Sequence, residues 1–507
     1  MPSLLSLPME LLGQIVQETM PVGFEAIALA CKTLHAASTP FQAQYAIRTK
    51  RFRDFAFSGR LQKNPEDDEE SDSGEYWDQT TQETGIRIRN TRELLEHIAA
   101  DPTVAQYIQC VNLGKVDKLD DEDEDEDEDE ANEMPSPREC EISDALRILV
   151  HTSPFIQAVG GNPENWIPGI RRSGVDADVF LMTLISQLRE VTMHPRWDVL
   201  DPFGRRNDER RWQVLKLLTH RANRPDEYPD APLSLLSVVN SSREPGYEEK
   251  VPLTPVVPFL AINSVTEVSL VSCVFKDDGY TGNQFHPTMS RYSANLRTLD
   301  LDSCVAGVEE LSQVLSRIPN LEVFRFSHET KWHGCGHNQN MGALLATVQD
   351  LCADNLRELV VSIVTPWGDP GATLVDMTRF RKLAVLELDV DMLCGPAYDP
   401  SMRDLEGDQI EAHDGPAWPR LVDMLPASIE RFALNLSTFS DQHLKCVSHL
   451  IEGLEHGRAS KLPHLEKLSL SVTGSNPVIP DEAREALTAA KKSGFDILKW
   501  GTSTHLL

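Results

Sequence analysis

A six-residue pattern with apolar residues at its first, fourth and sixth positions recurs along the chain. The clearest copies begin at Leu296, Leu356, Leu383 and Leu465, and copies with aromatic residues begin at Leu321 and Ile429. Weaker copies begin at Ile108, Leu188, Leu233, Val265 and Phe495. From Leu188 onward successive starts are 25 to 46 residues apart. That spacing leaves room for one strand, one helix and their loops in each repeat.

Between these copies, apolar residues three and four positions apart predict helices. The predicted helices are Val308 to Ile318, Met341 to Cys352, Asp441 to Leu454 and Asp481 to Lys492. Strands and helices alternating at this period favour an α/β solenoid, in which parallel strands line one side and helices the other. An unrelated α/β domain is the alternative.

The first 40 residues show a different, helical pattern. Leu11, Leu12, Ile15 and Val16 fall on one helical face, and Pro21 and Gly23 end that helix. A second helix is predicted over Phe24 to Ala30, and a third begins near Cys31 and ends before Pro40. Three short helices cannot bury this many apolar side chains among themselves, so part of their surface is expected to contact a partner.

Two polar segments interrupt the pattern and divide the chain. Residues 58–85 lack apolar periodicity and are predicted to form a flexible loop, and residues 117–137 are predicted to be a disordered acidic insertion. The resulting division is an N-terminal helical domain at 1–57, a helix and first strand of the array at 86–116, and the main array at 138–507. An amphipathic helix is predicted around Thr91 to Ala100.

The charge of the 507-residue chain argues against two classes of partner. Its formal net charge is −31, and eleven of those charges form the run Asp120 to Glu130, which leaves −31 + 11 = −20 elsewhere. An acidic surface repels phosphate backbones and anionic lipid, so we expect neither nucleic-acid nor membrane binding. No apolar run approaches the ~20 residues that a membrane-spanning helix needs.

Cysteine usage favours a reducing compartment. The nine cysteines are scattered, odd in number and without a Cys-x-x-Cys pair, so no disulfide framework is expected. The N-terminus has no basic segment before its apolar residues, so no signal peptide is predicted. Together these features favour a cytoplasmic or nuclear protein.

The N-terminal segment resembles a known family. Leu7-Pro8-x-Glu10-Leu11-Leu12-x-x-Ile15-Val16, followed by Ala28-Leu29-Ala30-Cys31-Lys32-x-Leu34-His35, resembles the F-box, particularly its fungal form. The resemblance implies binding to a Skp-type adaptor and, through it, to a cullin in an SCF-type ubiquitin ligase. The positions that match the family's adaptor contacts are Leu7, Pro8, Leu11, Leu12, Ile15, Leu29, Cys31 and Leu34. The sequence departs from the family at the start of the second helix, Gly23 to Ile27, and in lacking a Trp near the third.

The six-residue pattern is similar to that of leucine-rich repeats, although the Asn expected three positions later is generally absent. In such an array, positions three, five and seven of each copy face the inner surface. The predicted target-binding residues are therefore Asp300, Asp302, Arg325, Glu358, Glu387, Asp389, Arg431 and Lys467. The earlier part of this surface is acidic, which favours a partly basic target. Binding through loops instead is the alternative.

The spacing of the histidines, cysteines and acidic residues gives little support for a metal site or a catalytic site. His328, His333, Cys335 and His337 are of zinc-binding types, but ligands at alternate positions seldom close a tetrahedral site. No phosphate-binding loop, nucleophile elbow or His-Glu-x-x-His motif is present. We therefore expect a substrate receptor that is not an enzyme and binds no metal or cofactor. A repeat scaffold that assembles no ligase is the main alternative, and a hydrolase with an unrecognised site is a third.

Overall fold

The computed structural model describes residues 4–57, 88–115, 141–194, 197, 209–276, 285–331, 339–365, 376–394, 418–436, 440–472 and 488–499. The chain forms two compact units, Met1–Ser242 and Arg243–Leu507. Both are α/β, with parallel strands and many helices. The predicted loop at 58–85 and the predicted acidic insertion at 117–137 lie outside the described residues.

Unit 1 opens with three helices, α1 (Met9–Glu18), α2 (Phe24–Ala30) and α3 (Lys32–Phe52). They share a small core of Leu12, Val16, Phe24, Leu34 and Ala37. The predicted bounds of the second helix are confirmed.

The third helix is longer than predicted, because it continues through Pro40 to Phe52. Proline lacks the N–H that a helix interior uses and normally bends or ends a helix. Here the hydroxyls of Ser38 and Thr39 donate to the carbonyl of His35, at 2.7 and 3.1 Å, in the turn before the proline. Packing of the buried Ala37 and Ser38 holds this turn in place, so tertiary contacts override the local preference.

Four strands of unit 1 pair in parallel and in chain order. They are β1 (Asp54–Ala56), β2 (Cys110–Asn112), β3 (Glu190–Met193) and β4 (Val238–Ser241). The array therefore begins inside the predicted 1–57 domain rather than near Ile108. Phe52-Arg-Asp-Phe-Ala-Phe57 is an unrecognised copy of the six-residue pattern, and its three phenylalanines are buried.

The remaining helices of unit 1 pack around these strands. They are α4 (Thr91–Ala100), α5 (Val104–Tyr107), α6 (Asp144–His151), α7 (Pro154–Ala158), α8 (Ile167–Arg171), α9 (Val175–Met182) and α10 (Glu209–Ala222). The prediction for α4 is confirmed, and the side chain of Asn90 caps it by accepting from the amide of Glu93 at 3.0 Å. Helix α9 is buried along its whole length, including Asp176 and Asp178.

Unit 2 contains the longer sheet. Its strands are β5 (Val251–Pro252), β6 (Glu267–Val271), β7 (Cys273–Phe275), β8 (Thr298–Ala306), β9 (Val323–Glu329), β10 (Glu358–Thr365), β11 (Val385–Asp389), β12 (Arg431–Leu436), β13 (Lys467–Val472) and β14 (Phe495–Lys499). Strand β6 and then β8 to β14 pair in parallel and in chain order. Strands β5 and β7 form a short second sheet that joins the end of β8.

Helices connect many of these strands. They are α11 (Val257–Leu260), α12 (Val308–Leu315), α13 (Met341–Cys352), α14 (Val390–Cys394), α15 (Leu421–Met424), α16 (Asp441–Leu450) and α17 (Leu454–Lys461). The predicted bounds of α13 are confirmed. Helix α12 ends three residues before Ile318. Helix α16 ends at Leu450 because Gly453, at φ 74°, turns the chain into α17. Of the predicted helix Asp481 to Lys492, residues 481–487 lie outside the described residues.

The register of unit 2 explains the six-residue pattern. Fourth-position residues Leu299, Phe324, Leu359, Leu386, Phe432 and Leu468 align in one ladder across the sheet. Sixth-position residues form a second ladder, and every member of both is at most 1% exposed. Burying each such side chain contributes roughly 1.5–3 kcal/mol, so these ladders form the core of the sheet.

Two predicted copies are out of register by three residues. Strand β4 begins at Val238, which makes Leu236 the first position of its copy instead of Leu233, whose φ is 64°. Phe495 pairs with Leu468 and so occupies a fourth position. The slip arises because the pattern has apolar residues at both its first and fourth positions.

The sequence predicted no disulfide framework, and the structure contains one disulfide. Cys394 in α14 and Cys446 in α16 are joined by a disulfide across 52 residues of sequence, with their Cα atoms 6.0 Å apart. No helix in the described part of the chain is long and apolar enough to cross a membrane.

Candidate functional site

The N-terminal helices expose an unusual share of apolar side chains. Thirteen large apolar residues are exposed in the described ranges, and eight of them lie between residues 4 and 47. They are Leu4, Leu5, Leu7, Met9, Leu11, Val22, Leu29 and Ile47. Leu29, in α2, is 82% exposed. Because single exposed apolar residues are common but such groupings are not, this segment is a candidate protein interface.

The eight predicted adaptor contacts divide into three groups. Leu7, Pro8, Leu11 and Leu29 are exposed and available to a partner, and Ile15 and Cys31 are half-buried. Leu12 and Leu34 are 1% and 6% exposed and belong to the helical core. These two residues therefore stabilise the helices, which sequence could not separate from contact residues because Leu11 and Leu12 lie on one broad apolar face.

The exposed part of α2 is held firmly against α3. The ring of Tyr45 stacks on Phe24 with centroids 4.5 Å apart, and its hydroxyl donates to Glu25 Oε1 at 2.9 Å. Partial burial, followed by the hydrogen bond to Glu25, raises the pKa of Tyr45. The hydroxyl therefore keeps its proton for this bond, and Leu29 is presented from a fixed helix.

Three of the predicted target-binding residues form one ion-pair network on the sheet of unit 2. Arg325 Nη2 lies 2.7 Å from Glu358 Oε1, and Arg325 Nη1 lies 3.4 Å from Asp300 Oδ2. Burial raises the pKa of Asp300 despite the nearby guanidinium. Burial alone would lower the pKa of Arg325, but Glu358 and Asp300 outweigh it and raise that pKa. The charges of Arg325, Asp300 and Glu358 therefore largely neutralise one another, which leaves little of this charge for a target protein.

Three other predicted residues of this surface, Asp302, Glu387 and Asp389, differ in their hydrogen bonds and in their burial. Asp302 accepts from the hydroxyl of Ser327, and Glu387 accepts from Asn435 Nδ2 at 2.9 Å. Asp389 is only 7% exposed, so it offers a partner almost no surface. Burial raises the pKa of Asp389 to about 7, although the amide of Ile363 donates to its carboxylate.

Arg431 and Lys467 lie on β12 and β13 of the same surface. They are exposed and lie directly opposite each other in the register of β12 and β13. Neither forms an ion pair with any residue in the described ranges. This surface therefore carries two exposed cations at its β12–β13 end, in addition to the acidic residues from which the sequence favoured a basic target.

The predicted histidine–cysteine cluster is described only in part. His328 is 2% exposed, and its ring stacks on Phe326 with centroids 6.5 Å apart. His333, Cys335 and His337 lie outside the described residues. Within the described ranges, no group of three His, Cys, Asp or Glu side chains is arranged to hold a metal ion.

No protein-family model matches the sequence. No curated protein matches it either.

Proposed function

We propose that this protein is a substrate-receptor subunit of a cullin–RING ubiquitin ligase. Its N-terminal helices bind a Skp-type adaptor, and its repeat array binds a target protein. The observation that carries the proposal is the concentration of exposed apolar side chains at residues 4–47, where the sequence resembles an F-box.

The exposed leucines give a physical reason for adaptor binding. Leu11 and Leu29 are 44% and 82% exposed, whereas Leu12, beside Leu11, is 1% exposed. Each exposed leucine that becomes buried in an interface contributes roughly 1–2 kcal/mol. Several such residues are needed, since association itself carries an entropic cost of several kcal/mol.

The helices are also fixed to the array, as a receptor that positions its target requires. Helix α3 ends at Phe52, which is the first position of the repeat that contains β1. Arg48 in α3 forms an ion pair with Asp101 at 2.7 Å and donates to the hydroxyl of Thr103 at 2.6 Å. Both contacts join α3 to the chain between α4 and α5 within unit 1.

The direct connection of α3 to β1 also supports the second candidate, a repeat scaffold that recruits no ligase. In that case the three helices only cap the array, and removing residues 1–57 would remove β1 and uncover β2. A cap explains the buried residues Phe52 and Phe55, but it gives no reason to expose Leu11 and Leu29. We therefore favour adaptor docking.

Co-purification of the full chain with a Skp-type adaptor tests the proposal. A double substitution of Leu11→Asp and Leu29→Asp should abolish co-purification, because it places charge on the exposed leucines without touching the helical core. Ile148→Asp is the matched control, since Ile148 is 61% exposed on α6 of the same unit. If the unsubstituted chain fails to retain the adaptor under conditions in which a standard F-box protein does, the proposal is contradicted.

A further inference from the structure

A surface segment of unit 2 is held by a buried ion pair. Nζ of Lys331 lies 2.6 Å from Oε2 of Glu329, and the two side chains are 0% and 9% exposed. Lys331 also donates to the carbonyl of Gly246 at 2.8 Å and to the hydroxyl of Ser272 at 3.2 Å. The amide of Gly246 donates to Oε2 of Glu329 at 3.1 Å. Both backbone polar groups of Gly246 are therefore bound by the buried pair.

This ion pair adds position more than stability. The cost of taking two charges out of water largely offsets their attraction, so apolar residues of similar size would stabilise the fold about as well. The hydrogen bonds to Gly246 are directional, however, and they fix where this residue lies. Glu329 ends β9 and Ser272 directly follows β6, so Gly246 is held at the carboxyl ends of these strands. Open parallel sheets commonly bind ligands at this edge.

Gly246 begins an exposed turn. The amide of Glu249 donates to the carbonyl of Gly246 at 3.2 Å and closes residues 246–249, which we call the Tyr247 turn. Tyr247, at its second position, is 41% exposed. Tyrosine is enriched among the residues that dominate binding at interfaces, and a turn fixed in advance loses little entropy when it binds.

The Tyr247 turn presents negative charge. Residues 243–250 contain three carboxylates and two cations. One of the cations, Arg243, forms an ion pair with Glu249. Glu244 and Glu248 are exposed and form no ion pair with any residue that the structure describes. Charge complementarity therefore favours a cationic partner at this turn.

We propose that the Tyr247 turn binds an arginine-containing basic segment of a partner protein. A guanidinium of the segment stacks on the ring of Tyr247, and its cations pair with Glu244 and Glu248. The buried pair of Glu329 and Lys331 holds the turn in the position that presents these side chains. That the partner is a ligase target rests on the receptor role proposed above, but the binding of the segment does not depend on the adaptor.

Titration of the full chain with two probe peptides tests this contact. The chain is labelled with 3-fluorotyrosine, and Tyr247→Phe identifies the fluorine signal of Tyr247. The probes are acetyl-Ala-Arg-Ala-Arg-Ala-amide and acetyl-Ala-Gln-Ala-Gln-Ala-amide. We expect the Arg probe to shift this signal saturably and the Gln probe to leave it in place. A signal that neither probe moves, or that both move equally, would overturn the proposal whatever the outcome with the adaptor.

Charge variants locate the binding site. Glu244→Gln combined with Glu248→Gln should weaken binding of the Arg probe about tenfold, because two exposed ion pairs are lost. Glu430→Gln combined with Glu466→Gln removes two other exposed carboxylates of unit 2 and should leave the affinity unchanged. Equal losses in the two double variants would show general attraction to an acidic chain and contradict the proposal.

The positioning role of the buried pair has its own variant. Glu329→Gln combined with Lys331→Met removes both charges at similar volume, so that no uncompensated charge is buried. The turn keeps its own side chains, but it should bind the Arg probe at least about threefold more weakly because it is no longer held in place. Circular dichroism checks that the variant is folded. Unchanged affinity in the folded variant would refute this role of Glu329 and Lys331.

Discussion

The imidazole Nε2 of His443 lies 2.9 Å from Oδ1 of Asp391, and both side chains are buried. Three residues further along the same two helices, Cys394 and Cys446 are joined by the disulfide. The side chain of Gln442 also donates to the carbonyl of Cys394 at 2.6 Å. Helices α14 and α16 are thus linked by a polar pair and a covalent bond about one turn apart.

Removing the carboxylate should weaken unit 2. Asp391→Ala leaves the buried imidazole of His443 without this partner, which should lower the free energy of unfolding by about 1–3 kcal/mol. Urea unfolding of the full chain, followed by circular dichroism, measures the change. Asp350→Ala is the control because its ion pair with Arg379 is 60% and 59% exposed, and it should change stability by less than about 0.5 kcal/mol. Equal effects of the two substitutions would contradict the buried pair.

The disulfide predicts a specific response to reductant. Cys446→Ser should lower stability by about 2–4 kcal/mol under non-reducing conditions, because the unfolded chain gains freedom. Reductant should destabilise the unsubstituted chain to a similar degree and leave the Cys446→Ser chain unaffected. Peptide mapping without reductant should recover the Cys394–Cys446 link, and its absence from folded protein would refute the assignment.

Asp178 predicts a dependence of stability on pH. Burial raises its pKa to about 7 from an ordinary value of 3.8, although the hydroxyl of Thr91 donates to its carboxylate at 2.6 Å. Between these two values the folded state keeps a proton that the unfolded state releases, so stability falls as pH rises and levels off above 7. Asp178→Asn cannot ionise and should remove this contribution.

The difference between Asp178→Asn and the unsubstituted chain isolates this group, since Asp389 titrates alike in both proteins. The variant should gain stability relative to the unsubstituted chain on going from about pH 4 to about pH 8. Urea midpoints at both values measure the gain. A difference that stays constant with pH would show that Asp178 does not keep its proton in the folded state.

Neighbouring leucines of α1 should behave in opposite ways. Leu12→Ala removes a side chain that is 1% exposed from the core of the three helices, which should cost about 2–5 kcal/mol locally. Leu11→Ala, at 44% exposure, should change stability by less than about 0.5 kcal/mol. Hydrogen exchange of the α1 and α3 amides separates the two, and a Leu11→Ala chain that frays as readily as Leu12→Ala would reverse this assignment.

The repeat pattern predicted much of the sheet because it reports burial directly. First, fourth and sixth positions are the ones that point into the core, so Leu296, Leu356 and Leu383 located their strands from sequence alone. The copy at Phe52 was missed because three phenylalanines replace the leucines and a helix runs into it. The signal was present in the spacing of Phe52, Phe55 and Phe57.

The surfaces were harder to predict because they depend on distances between repeats. Sequence marked Asp300, Arg325 and Glu358 as facing one side, but only the register of β8, β9 and β10 shows that they pair with one another. An open groove in unit 2 is lined by residues as far apart in sequence as Asp376 and Glu452. The repeat pattern does not indicate that residues this far apart in sequence are neighbours in the fold.

The affinity of the full chain for a purified Skp-type adaptor, measured by calorimetry, tests the receptor role most directly. We expect saturable binding that Leu29→Asp weakens by at least about tenfold, since a leucine that is 82% exposed becomes buried against the adaptor. Ile148→Asp should leave the affinity unchanged. No binding by the unsubstituted chain, or equal binding by the Leu29→Asp chain, would contradict the account.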